Sequence, residues 1–159
     1  MKRTFSLILA LVVLAPATTV EDFTAVDLEG RTWSLDSLLG DDLTVFSFWS
    51  TSCTLCEDLL GLLDSLYVVY ADSGLAVVSV NTDTERTVRE VEPMVDSQGW
   101  DFIVIMDTEG ELMGLFDVGP LPHTFYVKPG RKIQSSFMGY TASDASSIRK
   151  AICNALRED

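Results

Sequence analysis

Some stretches of the chain are apolar at nearly every position, and others are apolar at every third or fourth. "LTVFSFW" (43–49), "LAVVSVN" (75–81) and "DFIVIMD" (101–107) are of the first kind. They are short and rich in Val, Ile and Phe, which predicts strands buried on both faces of a sheet. Between the first two, Leu55, Leu59, Leu62, Leu63, Leu66 and Tyr70 recur at helical spacing, so 54–71 reads as an amphipathic helix. "EGELMGLF" reads as a short helix. "SDASSIRKAICNALRED" reads as a closing amphipathic helix with Ser143 or Asp144 as its cap. "TDTERTVREVEPMVDSQGW" is helical in pattern, with Pro93 predicted to bend or break it. "HTFYVKPGRKIQSSFMG" predicts two strands joined at Pro129–Gly130. "DFTAVDLEGRTWSL" predicts a hairpin turning at Glu29–Gly30, followed by a brief helical turn at 35–39.

Strands alternating with helices predict a layered α/β domain, and the last hairpin makes its central sheet mixed. No repeat or linker divides the chain, so one domain is expected over 21–159. Ahead of it, Lys2 and Arg3 precede the apolar "FSLILALVVLA", and Ala15–Pro16–Ala17 supplies a small-residue cleavage pattern. Together these predict a signal peptide over 1–17. The run is short for a membrane span of about 20 residues. The expected location is periplasmic or secreted, with membrane attachment only through this segment if it stays uncleaved.

The length of 159 residues suits a single core, and 47% hydrophobic with 22% charged residues is ordinary globular composition. The net charge of −13 removes nucleic acid from the partner classes, because phosphate contacts need a basic surface.

The chemistry concentrates in "FSFWSTSCTLCEDLL" (46–60), where Cys53 and Cys56 are separated by two residues. Such a pair can be a redox couple, half of a metal site or a structural staple. Its place is informative, since Cys53 falls where a buried strand ends and a helix begins. Free N–H groups and the positive dipole end there stabilise a thiolate. Cys56, one turn on, is close enough to close a disulfide with it. An exposed Cys53 can therefore attack a substrate disulfide and Cys56 resolve the product.

"FWSTSCTLC" resembles the aromatic-Trp-x-x-x-Cys-x-x-Cys site of thioredoxin-fold proteins, and "VGPLPHTFYVKPGRKI" resembles their later segment with a cis-proline before a strand. The lead-in "DFTAVDLEGRTWSLDSLLGDDLTVFSFW" and the strand–helix insertion around "VVSVNTDTERTVREVE" are similar to the exported TlpA/ResA-like thioredoxins of the redoxin (AhpC/TSA) superfamily. The resemblance covers nearly all of 22–156. It implies a thioredoxin fold with an N-terminal β-hairpin extension and a βα insertion. It also implies a thiol–disulfide oxidoreductase active in cell redox homeostasis. In that role Cys53 is the nucleophile, Cys56 resolves, and Cys53–Cys56 is the redox disulfide. Pro122 matches the cis-proline, Leu121 the residue whose backbone pairs with substrate, and Trp49 the tryptophan packed beside the site. The implied partners are disulfide-bearing exported proteins, apocytochrome c among them, and a membrane thiol reductant. No cofactor and no metal is required.

Several residues depart from the family pattern. Ser52 replaces a bulky residue before the first cysteine. Ser47 stands where thioredoxins bury an aspartate, and Leu59 where ResA-like proteins can carry a glutamate. Glu57 and Asp58 are the remaining nearby acids, and they oppose thiolate formation at Cys53. His123, the only histidine, follows Pro122. With Cys53 and Cys56 it suggests the alternative of a Sco-like copper-delivery module, a soft set suited to Cu(I). A peroxiredoxin is disfavoured, because Phe46 stands where that site needs a proline, although Ser50 fits its hydroxyl position. Cys153 reads as a small buried hydrophobe of the last helix.

Overall fold

The computed structural model describes residues 18–157, and the expected signal peptide at 1–17 lies outside the described residues. Strand β3 (Leu43–Trp49) is buried at every position. It pairs in parallel with β4 (Leu75–Asn81) on one edge and antiparallel with β6 (His123–Lys128) on the other. β5 (Ile103–Met106) extends the parallel part beyond β4, and β7 (Lys132–Met138) pairs antiparallel with β6. The hairpin of β1 (Thr24–Asp27) and β2 (Thr32–Ser34) adds to β5, so the seven strands run β2-β1-β5-β4-β3-β6-β7. This is the mixed sheet expected from the sequence, with the N-terminal hairpin as a further antiparallel edge.

Alternation along β3 divides the core in two. Val45 and Trp49 face α2 (Thr54–Tyr70) and α5 (Ala145–Ala155), and there Leu59, Leu60, Leu63, Leu66 and Ile152 fill one layer. Phe46 and Phe48 face α1 (Leu35–Leu38) and α4 (Glu111–Leu115), joining Phe116 and Phe125 in the other layer. Each buried leucine or phenylalanine contributes roughly 1.5–3 kcal/mol. No helix among the described residues is long and apolar enough to cross a membrane.

Two helix expectations change. The stretch before Val91 is loop with one tight turn, and α3 spans only Val91–Gln98. Pro93 therefore lies in the first turn, where an N–H has no intrahelical acceptor, and it neither bends nor breaks the helix. At α5, Asp144, one of the two expected caps, is the N-cap residue, and Thr141 rather than Ser143 pairs with it. The Thr141 N–H and hydroxyl both donate to the Asp144 carboxylate, at 2.8 and 2.7 Å.

The hairpin is held by Asp27, whose fully buried carboxylate accepts from Trp33 Nε1 at 2.7 Å and from Arg31 Nε at 2.7 Å. Burial works against its charge, but these donors and the Arg31 backbone N–H outweigh it and keep its pKa below the usual value.

His123 opens β6 as a buried ring whose Nδ1 accepts the Gly119 N–H at 2.9 Å, which requires the neutral form. Burial pushes its pKa below 6.5, against the opposing pull of Asp117. The stabilising effect of a neutral His123 is complete above pH 6.5 and is lost as pH falls from there through the lower folded value. The denaturant midpoint is expected to drop between about pH 7.5 and 5.5, and His123→Thr to remove most of that dependence. Urea titration of both proteins at the two pH values checks it.

Candidate active site

Trp49 ends β3, and the chain crosses Ser50–Ser52 before α2 begins. Cys53 is the N-cap of α2 in extended conformation, and its sulfur accepts the Cys56 N–H at 3.2 Å. Any charge on that sulfur would be stabilised by this donor and by the helix's positive end. Cys53 and Cys56 are joined as a disulfide, with Cα atoms 5.3 Å apart. Their surroundings differ. Cys56 is 0% exposed within the α2-side core, whereas Cys53 is half-buried at its margin. Only the first sulfur is placed to meet a partner from outside.

The peptide bond Leu121–Pro122 is cis. Pro122 directly precedes β6, whose His123 pairs with Phe48 near the end of β3, so it lies at the same end of the sheet as the cysteines. Leu121 is half-buried and packs against the same core layer as Cys53. Trp49 stands edge-on to Trp100, ring centroids 5.5 Å apart. It is buried, and its indole nitrogen has no hydrogen-bond partner among the described residues.

The structure does not bring His123 to the cysteines. On β6 it shares a face with Phe125, 4.2 Å from that ring, and this is the α1/α4 side of the sheet, opposite α2 and the disulfide. Among the described residues no three His, Cys, Asp or Glu side chains are grouped to hold a metal. Ser47, at the position of the missing aspartate, is buried and bonded to the Thr124 hydroxyl at 3.0 Å. Leu59 is fully buried. Glu57 accepts a hydrogen bond from Gln98, and Asp58 is exposed.

Cys153 is half-buried and is not the fully enclosed hydrophobe expected. Its thiol donates to the Tyr70 hydroxyl at 3.2 Å. Tyr70 is the last residue of α2, fourteen residues beyond Cys56, so Cys153 is bonded at the end of that helix away from the pair, about 20 Å along its axis. That placement argues against an internal resolving role.

Sequence reasoning missed Asp83, just beyond β4. It is 5% exposed and accepts from Thr51 N at 2.7 Å, Thr51 Oγ1 at 2.8 Å and Asn81 Nδ2 at 2.8 Å. Thr82 adds its N–H to the Trp49 carbonyl at 2.8 Å. The only local signal was an acid two residues after the end of a buried strand. Its target is 32 residues back in the chain.

The AhpC/TSA family profile matches residues 16–136. A thiol-disulfide oxidoreductase ResA of Geobacillus thermodenitrificans is 29% identical over 126 residues, covering 79% of this chain and 71% of that one. Among solved structures, a Chlorobium tepidum protein proposed to be the thiol:disulfide interchange protein DsbE superposes with a TM-score of 0.80. It is 22% identical, with 90% and 99% of the two chains covered. StoA from Bacillus subtilis superposes with a TM-score of 0.68 at 23% identity over 85% and 98%. The chain thus belongs to the AhpC/TSA family, as a ResA-like thiol–disulfide oxidoreductase of thioredoxin fold carrying a Cys-x-x-Cys pair.

Proposed function

We propose that this protein reduces disulfides of exported proteins, with Cys53 as attacking and Cys56 as resolving thiol. The observation that carries the assignment is the asymmetry of the pair. Cys53 is half-exposed at a helix N-terminus and Cys56 is sealed in the core. In the reduced protein the Cys53 thiolate attacks one sulfur of a substrate disulfide and expels the other as thiolate, which takes up a proton. Cys56 then gives up its proton and attacks Cys53, releasing the second substrate thiol and closing the Cys53–Cys56 disulfide. Two electrons and two protons pass to the substrate, and an external dithiol must restore the pair.

Leu121 and Pro122 would present the substrate strand, as the family resemblance implies, and their position at the cysteine end of the sheet supports it. Trp49 would back the pair from below. The signal-like segment 1–17 supports an extracytoplasmic site of action, where disulfides form and a dedicated reductant has work. A membrane thiol reductant would recharge the protein, and apocytochrome c cysteines are candidate substrates. Glu57 in the first turn of α2, followed by Asp58, favours the helix but disfavours a neighbouring thiolate.

Cys53→Ser is expected to slow reduction of a disulfide peptide at least about a thousandfold. Cys56→Ala should instead accumulate the Cys53–substrate mixed disulfide, detectable by intact mass. If Cys56→Ala traps nothing and Cys53→Ser stays active, the assigned roles are wrong. The reduction potential of residues 18–159, read by alkylation and mass in graded thiol buffers, should lie near about −270 mV. A value near about −120 mV would reverse the direction of transfer, and one well below about −300 mV would mark a structural staple.

A further inference from the structure

The loop that carries the redox pair is short, and its attachments to the rest of the fold are few. Within it, Cys53 N donates to Ser50 O at 3.1 Å, and the hydroxyls of Ser50 and Ser52 meet at 3.1 Å. Those bonds shape the loop without fixing it in place. Anchorage comes from the end of β4. Thr82 holds the Trp49 carbonyl through its N–H and its hydroxyl, and Asp83 holds Thr51 through two bonds. Asp83 is itself fixed by the Asn81 side chain, whose Oδ1 accepts the Asp83 N–H at 3.0 Å while its Nδ2 donates to the carboxylate. Asn81 pairs with Trp49 in the β3–β4 ladder. The clamp therefore starts in the central strands and ends two residues before Cys53.

We infer that Asp83 is a positioning residue for disulfide exchange: through Thr51 its buried carboxylate holds the Ser50–Ser52 loop in the shape that seats Cys53 at the start of α2. A carboxylate taken out of water is costly unless donors satisfy it, and here Thr51, Thr87 and Asn81 supply them. Burial opposes the ionised form, yet these donors prevail and its pKa lies below the usual carboxylate value. The group is an acceptor throughout the neutral range, so the tie to Thr51 does not loosen with pH there. Losing it would let the loop sample other shapes. The two sulfurs would then meet less often, weakening the closed disulfide relative to the dithiol, and Cys53 would leave the helix donors that favour its thiolate.

This inference rests on the reading of Cys53 and Cys56 as the exchanging pair, and the test separates the two. Asp83→Ala, Asp83→Asn and Thr51→Val are compared with the wild type for reduction potential, for the rate of disulfide-peptide reduction, and for folding by circular dichroism. One net hydrogen bond corresponds to about three- to tenfold in an equilibrium. Asp83→Ala should weaken the disulfide about tenfold, raising the potential by about 30 mV, and slow reduction by a similar factor while still folded. Asp83→Asn keeps a carbonyl acceptor for the Thr51 N–H and should recover both quantities to within about threefold of wild type. Thr51→Val removes only the hydroxyl bond and should shift both by about threefold in the direction of Asp83→Ala. It decides the matter if Asp83→Ala does not fold. A lowered melting temperature with unchanged potential and rate in Asp83→Ala, or in Thr51→Val if that alone folds, would make Asp83 a stabilising residue and overturn the inference. A wild type that fails to exchange at all would sink the exchange reading and this inference with it.

Discussion

Strand β3 hydrogen-bonds along both edges and packs on both faces, so neither its position nor its register can change without breaking the core. Its last residue, Trp49, is consequently a fixed point, and the chain must leave the sheet there. The neighbouring elements set its path beyond that point. A helix starts within five residues, Cys53 takes its N-cap, and β4 and β6 end or begin beside it. The cysteine pair is thus placed by the burial of Leu43–Trp49 as much as by any residue in the motif itself.

The same strand decides which side chains can cooperate. Alternation sends Val45, Ser47 and Trp49 toward α2 and sends Phe46 and Phe48 the other way. Across the ladder, Thr124 shares the face of Ser47 and His123 that of Phe48. A residue next to the cis-proline Pro122 in sequence therefore points away from the sulfurs. The face that does lie under α2 carries hydroxyls rather than a carboxylate, and the buried carboxylate tied to the cysteine loop, Asp83, stands beyond the end of β4 with its oxygens bound by Thr51 and Asn81.

Much of this was legible in the chain because the signals are local. Continuous apolar runs marked β3, β4 and β5, the leucine spacing marked α2, and the two cysteines fell at the junction between strand and helix. The parts that were not legible depend on distant pairing. Asp83 looks like any acid in a loop until Thr51 is brought to it. His123 looks close to Cys53 until strand alternation turns it to the opposite face. Cys153 finds Tyr70 only because α5 packs on the end of α2. Pro93 misled for a different reason. Its effect depends on where the helix begins, and helix ends are the least certain feature of any periodic pattern.

The outer strands of the sheet are built unlike its centre. β2 has three residues, and β7 begins at Lys132, shifts register against β6 between Tyr126 and Val127, and is covered at its start by the Thr19–Lys132 bridge. A long, flat, apolar border would template pairing with a second copy of the chain, whereas a short strand, a charge, a bulge and a covering segment each interrupt it. These borders therefore offer an extended segment of another chain no long, uninterrupted row of free backbone groups, which disfavours strand-to-strand association of the protein with itself or with other chains.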